Sequence, residues 1–429
     1  MTMTDTTLRE RRDRALGAGA PLFYTTPLHI VRGEGVYLFD ADGRRYVDMY
    51  NNVPCVGHAH PAVVEAMARQ QATLNVHSRY LHEGVIDFAE RLSGLHGSGI
   101  QSVVFSCSGT EANEVALRMA RLATGKRGIV CTDETYHGNS ELVGALTRTG
   151  AHQPARPDVR TFPFPELYRP LAPGVGESQS ADAYLDRLAG AIRSLEEAGE
   201  GLAALIVCSI FANEGLPDVP PGFMRRAAEM VREAGGLVIA DEVQAGYGRT
   251  GGWWGYDVTG FTPDIVVTGK PMGAGLPLAA TAASKPLVDG FRAGTRYFNT
   301  FASSPLQAAV GMAVLDVIER EQLVRNAGAV GAALKAALLG RRDACARIGD
   351  IRGVGLFVGI EMVADRDSKT PDRDMAIEVV NRLKDKGFLT SNAGAFGNVV
   401  KIRPPLVFSK QNAEDFLAAF DETIAAING

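Results

Sequence analysis

The sequence predicts an α/β fold, with a mainly parallel sheet in a large domain and a smaller α+β domain beside it. Three observations carry this. At 429 residues and 46% hydrophobic content the chain is long enough for more than one core. From about residue 100, short apolar runs alternate with helical patterns, as in strands linked by crossover helices. Those runs are apolar throughout rather than alternating, as expected when both faces of a parallel sheet are covered.

In chain order, the basic run RERRDR at 9–14 reads as one solvated face of an N-terminal helix. HIVRGEGVYLFDADGRRYVDMY follows, and its alternating apolar residues flank the turn signal Asp42, Gly43, which predicts a hairpin. Pro61 suits the first turn of an amphipathic helix. The predicted strands are SVVFSC (102–107), GIVCT (128–132), LAALIVCSI (202–210), GLVIAD (236–241), DIVVTG (264–269) and LAATAAS (278–284). Between 150 and 182 a polar, Pro-rich segment shows no periodicity and is expected to be a long connection. A helical stretch runs from Pro305 to about 340, then DIRGVGLFVGIEMV, KGFLTSN and NVVKIRPPLVF predict strands of the smaller domain, and an amphipathic helix closes the chain.

Composition narrows the function classes. A net charge of -5 without long like-charge blocks argues against nucleic acid or anionic membrane as partners. No apolar run reaches the roughly 18 residues that span a bilayer, and the first 30 residues hold no apolar signal core. Five cysteines without a CxxC pair fit a reduced, cytoplasmic setting. His58 and His60 have no carboxylate or thiol set at zinc spacing, so no metal is expected.

Ligands of parallel sheets collect at the carboxyl ends of the strands, and the chemistry-bearing residues fall there. SCSGTEANE (106–114) is a strand end, a small-residue turn and a helix start. Backbone N–H groups at Gly109 and Thr110, with the Thr110 hydroxyl, suit a phosphate, while Ser108 or Thr110 would equally serve as an ordinary N-cap. TYHGNS places Tyr136 and His137 at the next strand exit, where an aromatic ring stacks on a flat cofactor or packs in the core. In IADEVQAGYGRTG the carboxylate of Asp241 ends a buried strand and is costly there without a cationic partner. The pyridinium nitrogen of pyridoxal phosphate is one such partner, and a structural hydrogen-bond network is the alternative. Val243 lies on the same side for ring packing, and Gln244 can reach a ring hydroxyl. Lys270, in PDIVVTGKPMGAGLPLA, sits at a strand end as a Schiff-base lysine would, or simply turns to solvent.

SGTEANE, YHG, DEVQAGYGRTG and GKPMGAGLPLA, in this order and spacing, resemble the class III aminotransferases, pyridoxal-phosphate enzymes of fold type I. The likeness covers nearly the whole chain. YNNVPCVGHAHP, RYLHEGVIDFAERL, YFNTFASSP and NVVKIRPPLVF resemble especially the subgroup with ethanolamine-phosphate and phosphohydroxylysine phospho-lyases.

The resemblance implies a large cofactor-binding domain over 56–310 and a small domain from 1–55 and 311–429. It implies that Lys270 carries the cofactor as a Schiff base and Asp241 pairs the pyridine nitrogen. Ser108, Gly109 and Thr110 would hold the phosphate, with Tyr136, His137, Val243 and Gln244 around the ring. Thr300 would reach the cofactor of a neighbouring subunit, which makes a homodimer the expected state. Tyr24 and Arg403 are the expected substrate contacts, with a purely structural role the equal alternative for Arg403. The implied reaction is transfer of an amino group from an amine or amino acid to a keto acid or aldehyde. Elimination of phosphate and ammonia from a phosphorylated amine is the alternative. The chain departs from the family pattern at Cys208 and Asn213, where relatives carry glutamates. It also has Lys401 where 2-oxoglutarate users carry an arginine, with Arg403 just before Pro404.

Overall fold

The computed structural model describes residues 7–97, 99–147 and 156–428. Strands Ile30–Glu34 (β1), Tyr37–Asp40 (β2) and Arg45–Asp48 (β3) form the expected hairpin and one strand more. Strands Ser102–Ser106 (β4), Gly128–Thr132 (β5), Val159–Phe162 (β6), Leu202–Cys208 (β7), Leu237–Asp241 (β8), Ile265–Thr268 (β9) and Ala279–Ala283 (β10) make a seven-stranded sheet. Its order is β4-β10-β9-β8-β7-β5-β6. The pairs among β9, β8, β7, β5 and β6 are parallel, and β10 is antiparallel to both β4 and β9. Ile348–Gly353 (β11), Val358–Asp365 (β12), Thr370–Pro371 (β13), Ser391–Ala393 (β15) and Val399–Ile402 (β16) form a third sheet. Phe388–Leu389 (β14) instead joins the first sheet, parallel to β3 with Phe388 opposite Val47.

The large sheet is buried on both faces because its strands are apolar at every position. Along β7, Leu205 and Val207 pack with the helices Glu177–Glu197 and Phe223–Glu233, while Ala204 and Ile206 pack on the other side with the helix Gly109–Thr124. That helix buries Val115, Leu117 and Met119, each contributing roughly 1.5–3 kcal/mol by leaving water. It ends at Gly125 in the left-handed conformation, φ +69°.

Two expectations need correction. The Pro-rich segment contains β6, an edge strand parallel to β5, so it is not wholly a loop; residues 148–155 lie outside the described residues. The helical stretch after Pro305 is two helices, Pro305–Arg320 and Leu323–Leu339, separated at Gln322, whose φ of +54° breaks the helical path. His58 and His60 go to structural work: His58 Nε2 meets Asp48 Oδ2 at 2.8 Å, and His60 Nδ1 accepts from Ala62 N–H at the helix start. Among the described residues no helix is long and apolar enough to cross a membrane.

Candidate active site

Strand register assembles the site. In the parallel core Cys208 lies opposite Asp241, and Asp241 opposite Val267, three residues before Lys270. On the far side Ala279 of β10 is level with Ser106 of β4, which brings 275–278 and 107–110 to the same edge. A cavity of about 340 Å³ opens at this rim. Ser108, Gly109, Thr110, Tyr136, His137, Asp241, Val243, Gln244 and Lys270 all line it, so nine of the expected site residues converge.

The helix Gly109–Thr124 starts at the cavity. Ser108 caps it, its Oγ accepting from Glu111 N–H at 3.2 Å, so the ordinary N-cap and the cavity wall are the same residue. Close approach explains two glycines here. A Cβ on Gly109 would lie 3.0 and 3.1 Å from the Val243 methyls, and one on Gly138, at φ +144°, would lie 2.5 Å from Thr110 Oγ1.

Asp241 is 4% exposed. Its Oδ1 accepts from Val243 N–H at 3.0 Å; its Oδ2 accepts from Asn113 Nδ2 at 3.0 Å and stands 2.7 Å from His137 Nδ1. Asp241 is thus both held by a network and placed at the cavity wall, and the two readings of the sequence coexist. Asn113 carried no role in the sequence reading. Its signal was a polar side chain on the apolar face of a helix, which has to find a partner when buried.

Lys270 reaches the cavity from the short turn after β9. Its amine makes no hydrogen bond or ion pair among the described residues. Desolvation pushes its pKa below the ordinary lysine value, the Arg403 charge pushes the same way, and Asp241 opposes them. An amine so placed is more often neutral, hence nucleophilic and able to take a proton.

Three expected residues do not line the cavity. Tyr24 sits in a separate aromatic pocket with Phe23 and Tyr50, and its hydroxyl donates to Thr390 O at 3.0 Å. Burial raises the pKa of that hydroxyl, and Asp48 and Tyr50 add to the rise. Thr300 is exposed and outside the chain's own cavity. Arg403 is buried behind the wall: Nε and Nη2 donate to Tyr50 O at 3.0 and 2.9 Å, and Nη1 donates to Gln244 Oε1. Gln244 in turn donates to Asn213 Oδ1 at 3.1 Å, so Asn213 fixes a cavity side chain.

Lys401 lies in β16, two residues before Arg403, and is 8% exposed. It stands 5.4 Å from the Tyr50 ring centroid and has no hydrogen-bond or ion-pair acceptor among the described residues. Burial drives its pKa well down, and the charges of Arg403 and Lys270 add to that; Cys208 opposes. Lys270 and Cys208 line the cavity, whereas Lys401 does not. Its signal in the sequence is a lysine inside the apolar run VVKI. Val53, Cys107, Gly138, Cys208 and residues 275–278 complete the lining.

The arrangement fits pyridoxal phosphate: a helix N-terminus for the phosphate, a tight slot beside Val243, a buried carboxylate across the cavity and an unpaired amine. The aminotransferase class-III family model matches residues 21–424. The chain is 38% identical to the alanine–glyoxylate aminotransferase 2-like protein of Drosophila melanogaster, covering 97% of this chain and 86% of the relative. Among solved structures it is similar to a phospholyase from Arthrobacter in complex with phosphoethanolamine, with TM-score 0.95, 38% identity, and 98% and 100% of the two chains covered. It is also similar to the omega transaminase of Pseudomonas jessenii in complex with PMP, with TM-score 0.89, 26% identity and 99% of each chain covered.

Proposed function

The chain belongs to the class-III aminotransferases, and from that premise we propose that it acts on an amine carrying an anionic group, with elimination of phosphate as the outcome. Its cofactor is pyridoxal 5'-phosphate, which supplies an electron sink for the bond broken at the substrate Cα. Gly109 and Thr110 N–H groups would hold its phosphate, with Val243 and Tyr136 beside its ring. Asp241, held by Asn113 and His137, would pair the ring nitrogen. Lys270, which would carry the cofactor, would take the Cα proton at Nζ.

The observation that supports an anionic substrate is Lys401, 8% exposed, without a hydrogen-bond or ion-pair acceptor among the described residues, and two residues before Arg403. A phosphate dianion is the complement of such a group. The Arthrobacter phospholyase, which holds phosphoethanolamine, supports this reading. Overall, a phosphorylated ethanolamine and water would give an aldehyde, ammonia and phosphate, with the bond to the phosphate oxygen breaking. Transamination is the second reading, and the aminotransferase 2-like relative favours it. The test is to incubate the holoenzyme with phosphoethanolamine, with and without pyruvate. Phosphate and ammonia released without a keto acid support elimination; amine consumed only when pyruvate is present refutes it.

The same proposal takes the protein to be a homodimer in which exposed Thr300 serves the neighbouring site. It also keeps 56–310 as the cofactor-binding domain, with 1–55 and 311–429 as the smaller one. The distribution of strands among the three sheets supports that division.

A further inference from the structure

Arg403 is a cation that the reaction above does not use. Its backbone N–H donates to Met49 O at 2.7 Å, and Nε and Nη2 donate to Tyr50 O at 3.0 and 2.9 Å. Nη1 donates to Gln244 Oε1, and both side chains are buried. Gln244 Nε2 donates to Asn213 Oδ1 at 3.1 Å, and Asn213 Nδ2 donates to Tyr136 O at 3.2 Å. Tyr136 and Gln244 line the cavity, whereas Arg403 and Asn213 do not.

The two ends of this chain fix its polarity. A guanidinium only donates and a carbonyl only accepts, so each group between them has to accept on the Arg403 side and donate on the Tyr136 side. Two primary amides in series do that. A carboxylate at either position would leave one of the bonds unmade. Gln244 is therefore held with its oxygen on Arg403, and its side chain stands between the guanidinium and the cavity.

We propose that Asn213 is a specificity-determining residue: by fixing the Gln244 amide it keeps Arg403 on protein carbonyls, so the site selects amines without a carboxylate on the reacting carbon. To reach the guanidinium, an incoming carboxylate has to displace Gln244 Oε1 from a charge-assisted bond and turn the amide off Asn213. Lys401 has no such acceptor to give up among the described residues. Asn213 acts through Gln244 and is a positioning residue. The selection narrows the substrate class of the proposed elimination and rests on that reading.

The test uses the holoenzyme and two substrates that differ in one group: phosphoethanolamine, and phosphoserine, which adds a carboxylate at the reacting carbon. Phosphate release gives kcat/KM for each. In the parent, phosphoserine is expected to be at least about 30-fold poorer, the cost of breaking a charge-assisted bond and a neutral one. Asn213→Ala frees Gln244 to turn and is expected to narrow that ratio about tenfold, through a lower KM for phosphoserine. Asn213→Asp still accepts from Gln244 Nε2 and is expected to keep the ratio within about threefold of the parent. Combining Asn213→Ala with Arg403→Met is expected to abolish the gain, because the gain runs through the guanidinium. The proposal is overturned if the parent takes both substrates equally, if Asn213→Ala changes both by the same factor, if Asn213→Asp narrows the ratio as Asn213→Ala does, or if the gain survives the loss of Arg403. Should Asn213→Ala not fold, Arg403→Met alone decides: a latched guanidinium predicts equal losses for the two substrates, and a loss confined to phosphoserine refutes it. A parent that releases phosphate from neither refutes the elimination reading instead. The latch is then judged from single-turnover changes in the cofactor spectrum, with alanine against ethylamine as the matched pair and the same expected ratios.

Discussion

Replacing Lys401 with methionine tests the anionic-substrate reading most directly. Methionine keeps an unbranched stem of similar length against Tyr50 and removes only the charge. At 8% exposure the surroundings are not bulk water, so an effective dielectric near 20 applies, and a pair of unit charges at 4 Å is worth about 4 kcal/mol. Part of that is spent in protonating the amine, whose pKa is depressed by burial, Arg403 and Lys270. A net loss of about 2 kcal/mol remains, or about 30-fold in kcat/KM for phosphoethanolamine. The assay is phosphate release in parallel with the single-turnover reaction of an uncharged amine, followed through the cofactor spectrum. Lys401→Met is expected to spare the uncharged amine, and Lys401→Arg to restore part of the phosphoethanolamine rate. Equal losses for both substrates, or none for either, would refute the argument that Lys401 reads substrate charge.

The same amine sets a pH dependence. A depressed lysine must take up a proton to pair with a phosphate, so affinity is highest at low pH and falls as pH rises through the depressed pKa. Between pH 7 and 9, above the second phosphate ionisation at about 6, KM for phosphoethanolamine should rise in the parent and stay flatter in Lys401→Met. Asp241→Asn turns an amide toward the Asn113 and His137 donors or loses the charge facing the ring. We expect kcat to fall by about 100-fold with the cofactor still bound, and an unchanged kcat in stopped-flow or steady-state work would contradict the role of Asp241. Gly331→Ala tests packing far from the site: its Cβ would lie 2.0 Å from Gly355 O, so a loss of about 3 kcal/mol is expected, read as a lower urea midpoint. An unchanged midpoint would mean that this helix contact yields easily.

What the sequence revealed follows from which interactions are local. The six strand runs were legible because burial on both faces demands apolar residues at every position, and the helix start at Gly109 because a cap is written within four residues. β6 was not, since VRTF lies among prolines and becomes a strand only by pairing with β5. The break at Gln322 carries neither glycine nor proline. The cavity residues quoted from strand ends all converged, because parallel register sets them level. Tyr24, Arg403 and Lys401 depend on segments hundreds of residues apart, and their burial and partners appear only in the folded chain. The network that holds Asp241 also appears only on folding, since it comes from Asn113 and His137, more than 100 residues earlier.

The parallel pairing of β14 with β3 has a consequence for how the molecule is made. Val47 and Phe388 meet across 341 residues of chain, and Arg403 N–H donates to Met49 O at 2.7 Å across a similar span. Neither contact can form until a ribosome has delivered residues 388 and 403. The large sheet, complete by residue 283, has all its strands long before that. The early hairpin must therefore wait with one edge of β3 open, a long-range closure of the kind that slows folding and exposes a nascent chain to misassociation. The segment that carries Lys401 and Arg403 then arrives after every strand of the large sheet, so vectorial synthesis itself withholds a finished site until residues beyond 400 have emerged.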